Sequence, residues 1–284
     1  MKNKTYIPCL FILFIVLLVC SCEPKQEISE NKIQFDTINV TESHHLKNDS
    51  TQPSCNLRIS FIYPSDYVDN EVLESTTTKF ISNFFGEPYS DLLPKEAAEK
   101  YAKSYIHNYE EDARIFFREK ENDFSHDSQT DTYFSYYESL SNEIIFNKAN
   151  LLSSRMRQEN YKGGGSSFQQ YTNHVYDLAA NHILMENDIF NEGYEKSLNT
   201  IFQHKLLETN NVKQISDLEN VGYFGLEEIM PNNNFLVDEK GIIYTFNKGE
   251  YSALQLDEIN IFLPYEEIAF ILKENSPISI LTKP

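Results

Sequence analysis

The sequence predicts an α+β protein, with antiparallel sheets and helices packed on one face. Alternating apolar and polar residues predict strands such as Asn56–Tyr63, while two longer stretches carry apolar residues at helical spacing. Hydrophobic residues make up 40% of the 284 residues, with 18 Tyr and 20 Phe, which is enough for a substantial core. Strands and helices in this order, with no internal repeat, favour the α+β class.

Residues 1–21 are predicted to be a lipoprotein signal peptide. Lys2 and Lys4 precede the apolar run Tyr6–Cys20, as in a signal peptide. The segment Val19-Cys20-Ser21-Cys22 then resembles the lipobox that the lipoprotein signal peptidase cuts. We therefore expect Cys22 to become the first residue and to carry lipid. The alternative is an uncleaved anchor, but a spanning helix needs roughly 20 apolar residues.

This anchor predicts a protein of the bacterial cell envelope, attached to the outer membrane through Cys22. Residues 22–54 are polar and poor in large apolar side chains, so the sequence predicts a flexible tether. His44-His45 in this segment is expected to be solvated.

The folded part is expected to begin at Cys55. A strand at Asn56–Tyr63 is followed by an amphipathic helix over 69–85, which Gly86 ends. Pro94 opens the clearest helix, which is predicted to run to residue 119. Helical spacing places Ala97, Ala98, Tyr101, Ala102, Tyr105 and Tyr109 on one face of it.

The second half is predicted to contain mainly strands. Strands are expected at 133–146, 150–161, 168–178 and 258–263, a hairpin at 235–246, a helix at 193–207 and a closing helix from Pro264. We divide the folded part into 55–160 and 161–284, with the alternative that both form one unit.

The charge of the chain limits its partners. The formal charge is −19, and loss of Lys2 and Lys4 with the signal peptide changes it to −21. Nucleic-acid binding needs clustered basic residues, so no nucleic acid is expected. Basic proteins would be attracted, although the charge is also explained by solubility alone. Cys55, the one thiol left after processing, is predicted to be buried and inert.

Several segments in order resemble one known family. They are Tyr161–Ser166, Tyr176–Leu178, Asp188–Phe190, Asn234–Val237, Gly241–Phe246 and Ile261–Ile268. The resemblance is to the RsiV-like extracytoplasmic domain with a PdaC-type amino-terminal region, and it covers 56–273. It implies an α+β domain that binds a ligand near the cell wall. The family includes a lysozyme-sensing ectodomain and non-catalytic regions of peptidoglycan deacetylases.

The candidate binding loop is Gly163, Gly164, Gly165 and Ser166. Its backbone N–H groups could hold an anion, but the Lys of a phosphate-binding loop is absent. The alternative is a tight crossing between two strands. The resembled family has Gly-Gly-Ala-His here, so any role of that His is absent. Histidines of the folded part show no metal-ligand spacing, so neither metal nor cofactor is predicted.

The sequence thus predicts a non-catalytic envelope lipoprotein. Its ligand would be a cell-wall component or a protein, for example a basic enzyme such as lysozyme. The alternative is an envelope hydrolase that acts on glycan or peptidoglycan through two carboxylates about 5–10 Å apart. Acidic pairs such as Glu110-Glu111 are plentiful, but no Gly-X-Ser-X-Gly motif supports an esterase.

Overall fold

The computed structural model describes residues 28–120, 134–163 and 167–282, and it has the predicted α+β class. Six strands form one sheet in chain order: β1 Gln34–His45, β2 Ser54–Asp66, β3 Tyr136–Lys148, β4 Leu151–Lys162, β5 Phe168–Asp177 and β6 His182–Ile183. A smaller sheet holds β7 Phe235–Val237, β8 Gly241–Phe246 and β9 Ile259–Pro264. The helices are α1 Asn70–Phe85, α2 Pro94–Lys120, α3 Glu186–Ile189, α4 Tyr194–Thr209, α5 Ile215–Glu219, α6 Tyr265–Ile268 and α7 Ser279–Thr282.

One strand pair departs from the antiparallel pattern. β2 and β3 run parallel, whereas the other paired strands of both sheets run antiparallel. The chain between β2 and β3 contains α1 and α2, and a parallel pair requires such a long connection. The two helices therefore cross one face of the large sheet.

The predicted tether is wrong over residues 34–54. β1 pairs with β2 along its whole length, and Ile38 and Val40 pack against the core beneath the helices. These β-branched residues alternate with polar ones. A few apolar residues in this alternation are enough to form an edge strand with one buried face. His44 is not solvated either, because its Nε2 lies 2.9 Å from Glu110 Oε1 on α2.

The first core lies between the large sheet and helices α1 and α2. Asp69 caps α1 by accepting hydrogen bonds from the N–H groups of Glu71 and Val72, and Gly86 ends the helix at φ +98°. The core contains Leu57, Ile59, Phe61, Phe80, Ile81, Phe84, Phe85, Leu140, Leu152 and Tyr176. Cys55 is 1% exposed, as predicted, and burial raises the pKa of its thiol to about 11.

The second core lies on the opposite face of β4 and β5. Leu151 and Val175 pack there against the small sheet and α4, and Ser153 Oγ donates to the Val237 carbonyl at 2.7 Å. Successive residues of β4, Leu151 and Leu152, therefore belong to different cores. The predicted domain boundary at 160/161 lies inside β4, which pairs with β3 and β5. This continuity favours the alternative of one unit.

The closing helix is shorter than the sequence predicts. α6 ends at Ile268, and a 3-10 turn covers 269–271. Helical spacing after Pro264 predicts that Ile268, Ala269 and Ile271 face inward. Ile268 and Ile271 are buried, but Ala269 is exposed, because the tighter turn changes the direction of successive side chains. Within the described part of the chain, no helix is both long and apolar enough to span a bilayer.

Candidate functional site

A cleft of about 520 Å³ lies along the outer edge of β5. β6 pairs only with Tyr176 and Asp177, so the preceding part of this edge has no partner strand within the described residues. We call the cleft the amide cleft, because its lining includes Gln170, Asn173, Asn232, Asn233, Asn234 and Asn247. Thr172, His174, Met185, Phe235 and Glu250 also line it.

Two asparagine side chains take the place of a neighbouring strand. Asn247 Oδ1 accepts from the Tyr171 N–H at 2.7 Å, and Asn247 Nδ2 donates to the Tyr171 carbonyl at 2.9 Å. Asn234 Oδ1 accepts from the Asn173 N–H at 2.8 Å. The β5 edge is thus closed to edge-to-edge pairing, which exposed strand edges otherwise invite.

A buried carboxylate holds the turn that carries three of these amides. Glu186 Oε1 accepts from the Asn233 N–H at 2.7 Å, and the Glu186 N–H donates to Asn233 Oδ1 at 3.0 Å. Tyr194 Oη donates to Glu186 Oε2 at 2.9 Å. Asn233 has φ +56°, a left-handed conformation that asparagine tolerates. Glu186 is 2% exposed, and burial raises the pKa of its carboxyl group despite these hydrogen bonds.

The ionisable side chains of the amide cleft are few. Burial lowers the pKa of His174 to about 4, so its ring is neutral at pH 7. Glu250 is the one carboxylate among the described lining residues, and Asn232 Nδ2 donates to its Oε2 at 3.3 Å. The remaining polar groups are amides and hydroxyls, which donate and accept hydrogen bonds without changing protonation near neutral pH. Such a lining suits recognition of a ligand rich in hydroxyl and amide groups.

Of the predicted binding loop, Gly163 is the residue that the structure describes. Gly163 directly follows β4 with φ +53°, a left-handed conformation that glycine adopts without strain. Gly163 is not among the residues that line the cleft. Gly164, Gly165, Ser166 and the lipidation site Cys22 lie outside the described residues.

The described histidines His174 and His182 lie in different surroundings. His182 Nε2 lies 3.4 Å from Asp188 Oδ2, while His174 lines the amide cleft. In the described ranges, no group of three or more His, Cys, Asp or Glu side chains is placed to hold a metal ion. His126 lies outside those ranges.

Sequence reasoning did not find the amide cleft. Its two walls are far apart in sequence, with β5 on one side and residues 232–250 on the other. The run Asn232-Asn233-Asn234 after Pro231 is a visible signal, but asparagine clusters ordinarily indicate turns. The contacts of Asn234 and Asn247 with β5 depend on tertiary structure.

Comparison with known proteins assigns part of this region to a family. Residues 187–266 match the family described as a protein of unknown function, DUF3298. The chain contains a DUF3298 domain. This domain includes Asn232, Asn234 and Asn247, and therefore supplies one wall of the amide cleft, while β5 precedes it.

Solved structures of DUF3298 proteins extend the likeness beyond the domain. A crystal structure of a family member from Bacteroides fragilis NCTC 9343 aligns with a TM-score of 0.82 and 29% identity, covering 88% of this chain and 97% of that chain. A family protein from Pseudomonas aeruginosa PAO1 aligns with a TM-score of 0.55 and 12% identity over 85% of this chain and 96% of that chain, which shows the fold alone. A search among curated proteins finds no match.

Proposed function

We propose that this protein is a lipid-anchored component of the bacterial cell envelope that binds a cell-wall ligand without converting it. The observation that carries the proposal is the amide cleft, whose volume of about 520 Å³ and polar lining with a single carboxylate among the described residues suit a sugar–peptide fragment. The amide of Gln170 matches the hydroxyl and amide groups of such a ligand, and Tyr171 adds apolar surface. The RsiV-like resemblance of the sequence also supports a binding role near the wall.

The binding experiment uses the chain from residue 22 with Cys22→Ala and a soluble disaccharide–peptide of peptidoglycan. Gln170→Ala removes one cleft amide, and we expect it to weaken binding roughly three- to tenfold, the effect of one neutral hydrogen bond. Gln34→Ala, exposed at the start of β1, is the matched control. Calorimetry that detects no binding to the unsubstituted chain, or equal binding by both variants, rejects the cleft as the ligand site.

The same mixture distinguishes the hydrolase alternative. A hydrolase needs two carboxylates in one cleft, whereas Glu186 is buried behind the amide cleft and Glu250 lines it. We expect the fragment to be recovered intact after long incubation, as measured by chromatography. Cleavage that Glu250→Gln abolishes would replace the binding proposal with the hydrolase.

A basic wall-degrading enzyme such as lysozyme is the second candidate ligand. The formal charge, −19 for the full chain and −21 without Lys2 and Lys4, favours fast association with a basic protein, and salt would weaken that attraction. In a pull-down we expect lysozyme to be retained at low salt and retained less at physiological salt. Lysozyme with acetylated lysines is the control. Absence of retention at both salt concentrations removes this candidate.

Lipid attachment at Cys22 places the binding domain at the membrane surface. We expect mass spectrometry of the full-length product from a bacterial host to find residues 1–21 removed and a diacylglyceryl group on Cys22. Cys22→Ala should prevent both changes, and fractionation should place the unsubstituted protein in the outer membrane. An unmodified, full-length amino terminus in the cytosol would refute the anchor.

A further inference from the structure

A second cleft, of about 160 Å³, lies between α2 and the strands β3 and β4. Five tyrosines line it, together with two acidic residues: Tyr89, Tyr101, Tyr105, Tyr109, Tyr136, Asp112 and Glu138. We call it the tyrosine pocket. It shares no residue with the amide cleft. The lining also includes Lys162, whose side chain is exposed.

The tyrosines converge because of helical spacing and the adjacent strand. Tyr101, Tyr105 and Tyr109 follow each other at intervals of four on α2 and so share one helix face. The rings of Tyr109 and Tyr136 meet edge to face, with centroids 5.2 Å apart and an interplanar angle of 66°. The Tyr89 and Tyr101 centroids are 5.6 Å apart. Ring faces carry negative electrostatic potential and attract cations.

Lys100 shows this attraction at the rim of the pocket. Its Nζ lies 5.6 Å from the centroid of the Tyr89 ring. An ammonium group therefore already lies over one tyrosine ring of the set. The other four tyrosines that line the pocket supply further aromatic rings for a second cation.

A buried carboxylate lies in the wall of the pocket. Glu138 is 8% exposed, and its oxygens accept from Tyr101 Oη at 2.9 Å and from Gln158 Nε2 at 2.8 Å. Both donors are neutral, and no ion pair involves Glu138 within the described residues. Buried carboxylates are stabilised by cationic partners, and the exposed Asp112 adds a second negative charge at the opening.

The phenol of Tyr109 is the independent sign of a missing ligand atom. Tyr109 is 1% exposed and lines the pocket, yet its hydroxyl has no hydrogen-bond partner among the described residues. Buried polar atoms are almost always paired, so an unpaired one indicates a partner outside the described residues. A phenol oxygen can accept a hydrogen bond from an ammonium N–H.

We propose that the tyrosine pocket binds a primary alkylammonium group, carried by a free amine or by a lysine side chain. The ring faces surround the cation, Glu138 and Asp112 balance its charge, and the Tyr109 oxygen accepts one of its N–H groups. The volume of about 160 Å³ corresponds to about five water molecules of the liquid, which is room for an n-butylammonium ion. This site is separate from the amide cleft, so either proposal can fail alone.

The first test titrates n-butylammonium into the chain from residue 22 with Cys22→Ala, with the tyrosine ring resonances as the readout. We expect saturable shifts of the Tyr101, Tyr105 and Tyr136 signals, and none with n-butanol, which lacks the charge. Asp112→Asn should weaken binding at least threefold, while Glu99→Gln, on an exposed part of the same helix, should not. Equal binding of n-butanol, or equal effects of both substitutions, would overturn the proposal.

A second titration tests the role of Tyr109. Tetramethylammonium has the charge but no N–H, so n-butylammonium should bind more tightly to the unsubstituted pocket. Tyr109→Phe should reduce that preference without loss of fold, which circular dichroism checks. An unchanged preference contradicts the assigned hydrogen bond. A comparison with Nα-acetyl-lysine methylamide identifies the source of the ammonium group. If this compound binds as well as n-butylammonium does, the ligand is a lysine side chain. If n-butylammonium alone binds, the ligand is a free amine.

Discussion

The side-chain carboxamide of Asn247 carries an N–H donor and a C=O acceptor in one plane, as a backbone peptide group does. Asn247 uses both on the backbone of Tyr171, and Asn234 adds an acceptor for Asn173. Asn247 is 7% exposed, so water cannot replace these bonds freely. The amide cleft therefore depends on residues that also close the edge of β5.

Replacement of Asn247 tests this dependence. Asn247→Ala leaves the N–H of Tyr171 without its side-chain partner, while the Tyr171 carbonyl keeps a hydrogen bond from Asn234 Nδ2 at 3.1 Å. We expect the free energy of unfolding to fall by about 1–3 kcal/mol. Urea denaturation measures the loss. Asn39→Ala, on the exposed face of β1, is the control and should have an effect within about 0.5 kcal/mol. Equal stability of both variants would show that the edge bonds contribute little.

Glu186 makes stability depend on pH. Its folded-state pKa is raised above the unfolded value of 4.5, so folding favours the protonated carboxyl group. Its contribution to stability is complete below pH 4.5 and is lost as pH rises through the folded-state pKa. We expect the free energy of unfolding of Glu186→Gln, relative to the unsubstituted protein, to increase with pH above 4.5.

Denaturation series at pH 4, 5, 6 and 7 measure this difference. Glu192→Gln, at an exposed side chain just before α4, is the control. Its free energy of unfolding relative to the unsubstituted protein should not increase with pH in this way. A difference for Glu186→Gln that is flat or falls with pH would contradict the raised pKa. The substitution keeps one oxygen for the Asn233 N–H, so the Asn232–Asn234 turn should remain in place.

At the scale of elements, the two long helices were predicted closely because their signals are local. Asp69, Gly86 and Pro94 mark the ends, and α1 and α2 begin and end within one residue of the predicted positions. β1 was missed, because its apolar residues are few and the strand is defined by pairing with β2. The parallel pairing of β2 with β3 was also missed, since pairing direction depends on the path of the connection.

The cap of α1 gives a prediction for a single element. Asp69 Oδ1 accepts from the N–H groups of Glu71 at 3.0 Å and Val72 at 3.1 Å. Asp69→Ala should lower the free energy of unfolding by about 1 kcal/mol, with a range of roughly 0.5–2 kcal/mol. Asp66→Ala, exposed at the end of β2, is the matched control in thermal and urea unfolding. A cost for Asp66→Ala as large as that for Asp69→Ala would contradict a specific cap.

For the whole molecule, β4 and β5 join the two cores. Leu151 and Val175 face the small sheet, and Leu152 and Tyr176 face the helices. Separation of β4 and β5 from either core would also expose apolar side chains of the other core. The boundary at 160/161 followed from the resemblance to a PdaC-type amino-terminal region and an RsiV-like carboxy-terminal region, and only the strand register shows that the sheet continues across it.

One cooperative unit therefore predicts one unfolding transition for both cores. Leu151→Ala removes packing from the core of the small sheet, and Leu152→Ala removes packing from the core of the helices; the two side chains are 1% and 0% exposed. We expect each substitution to lower the free energy of unfolding by about 2–5 kcal/mol. Each should also lower the hydrogen-exchange protection of the α2 and β8 backbone amides equally, because both sets exchange through the same global unfolding. Hydrogen exchange measures both sets at once, and Leu93→Ala, at a side chain 67% exposed, is the control. If Leu151→Ala weakens only β8 and Leu152→Ala weakens only α2, the two cores unfold independently and the boundary at 160/161 separates two domains.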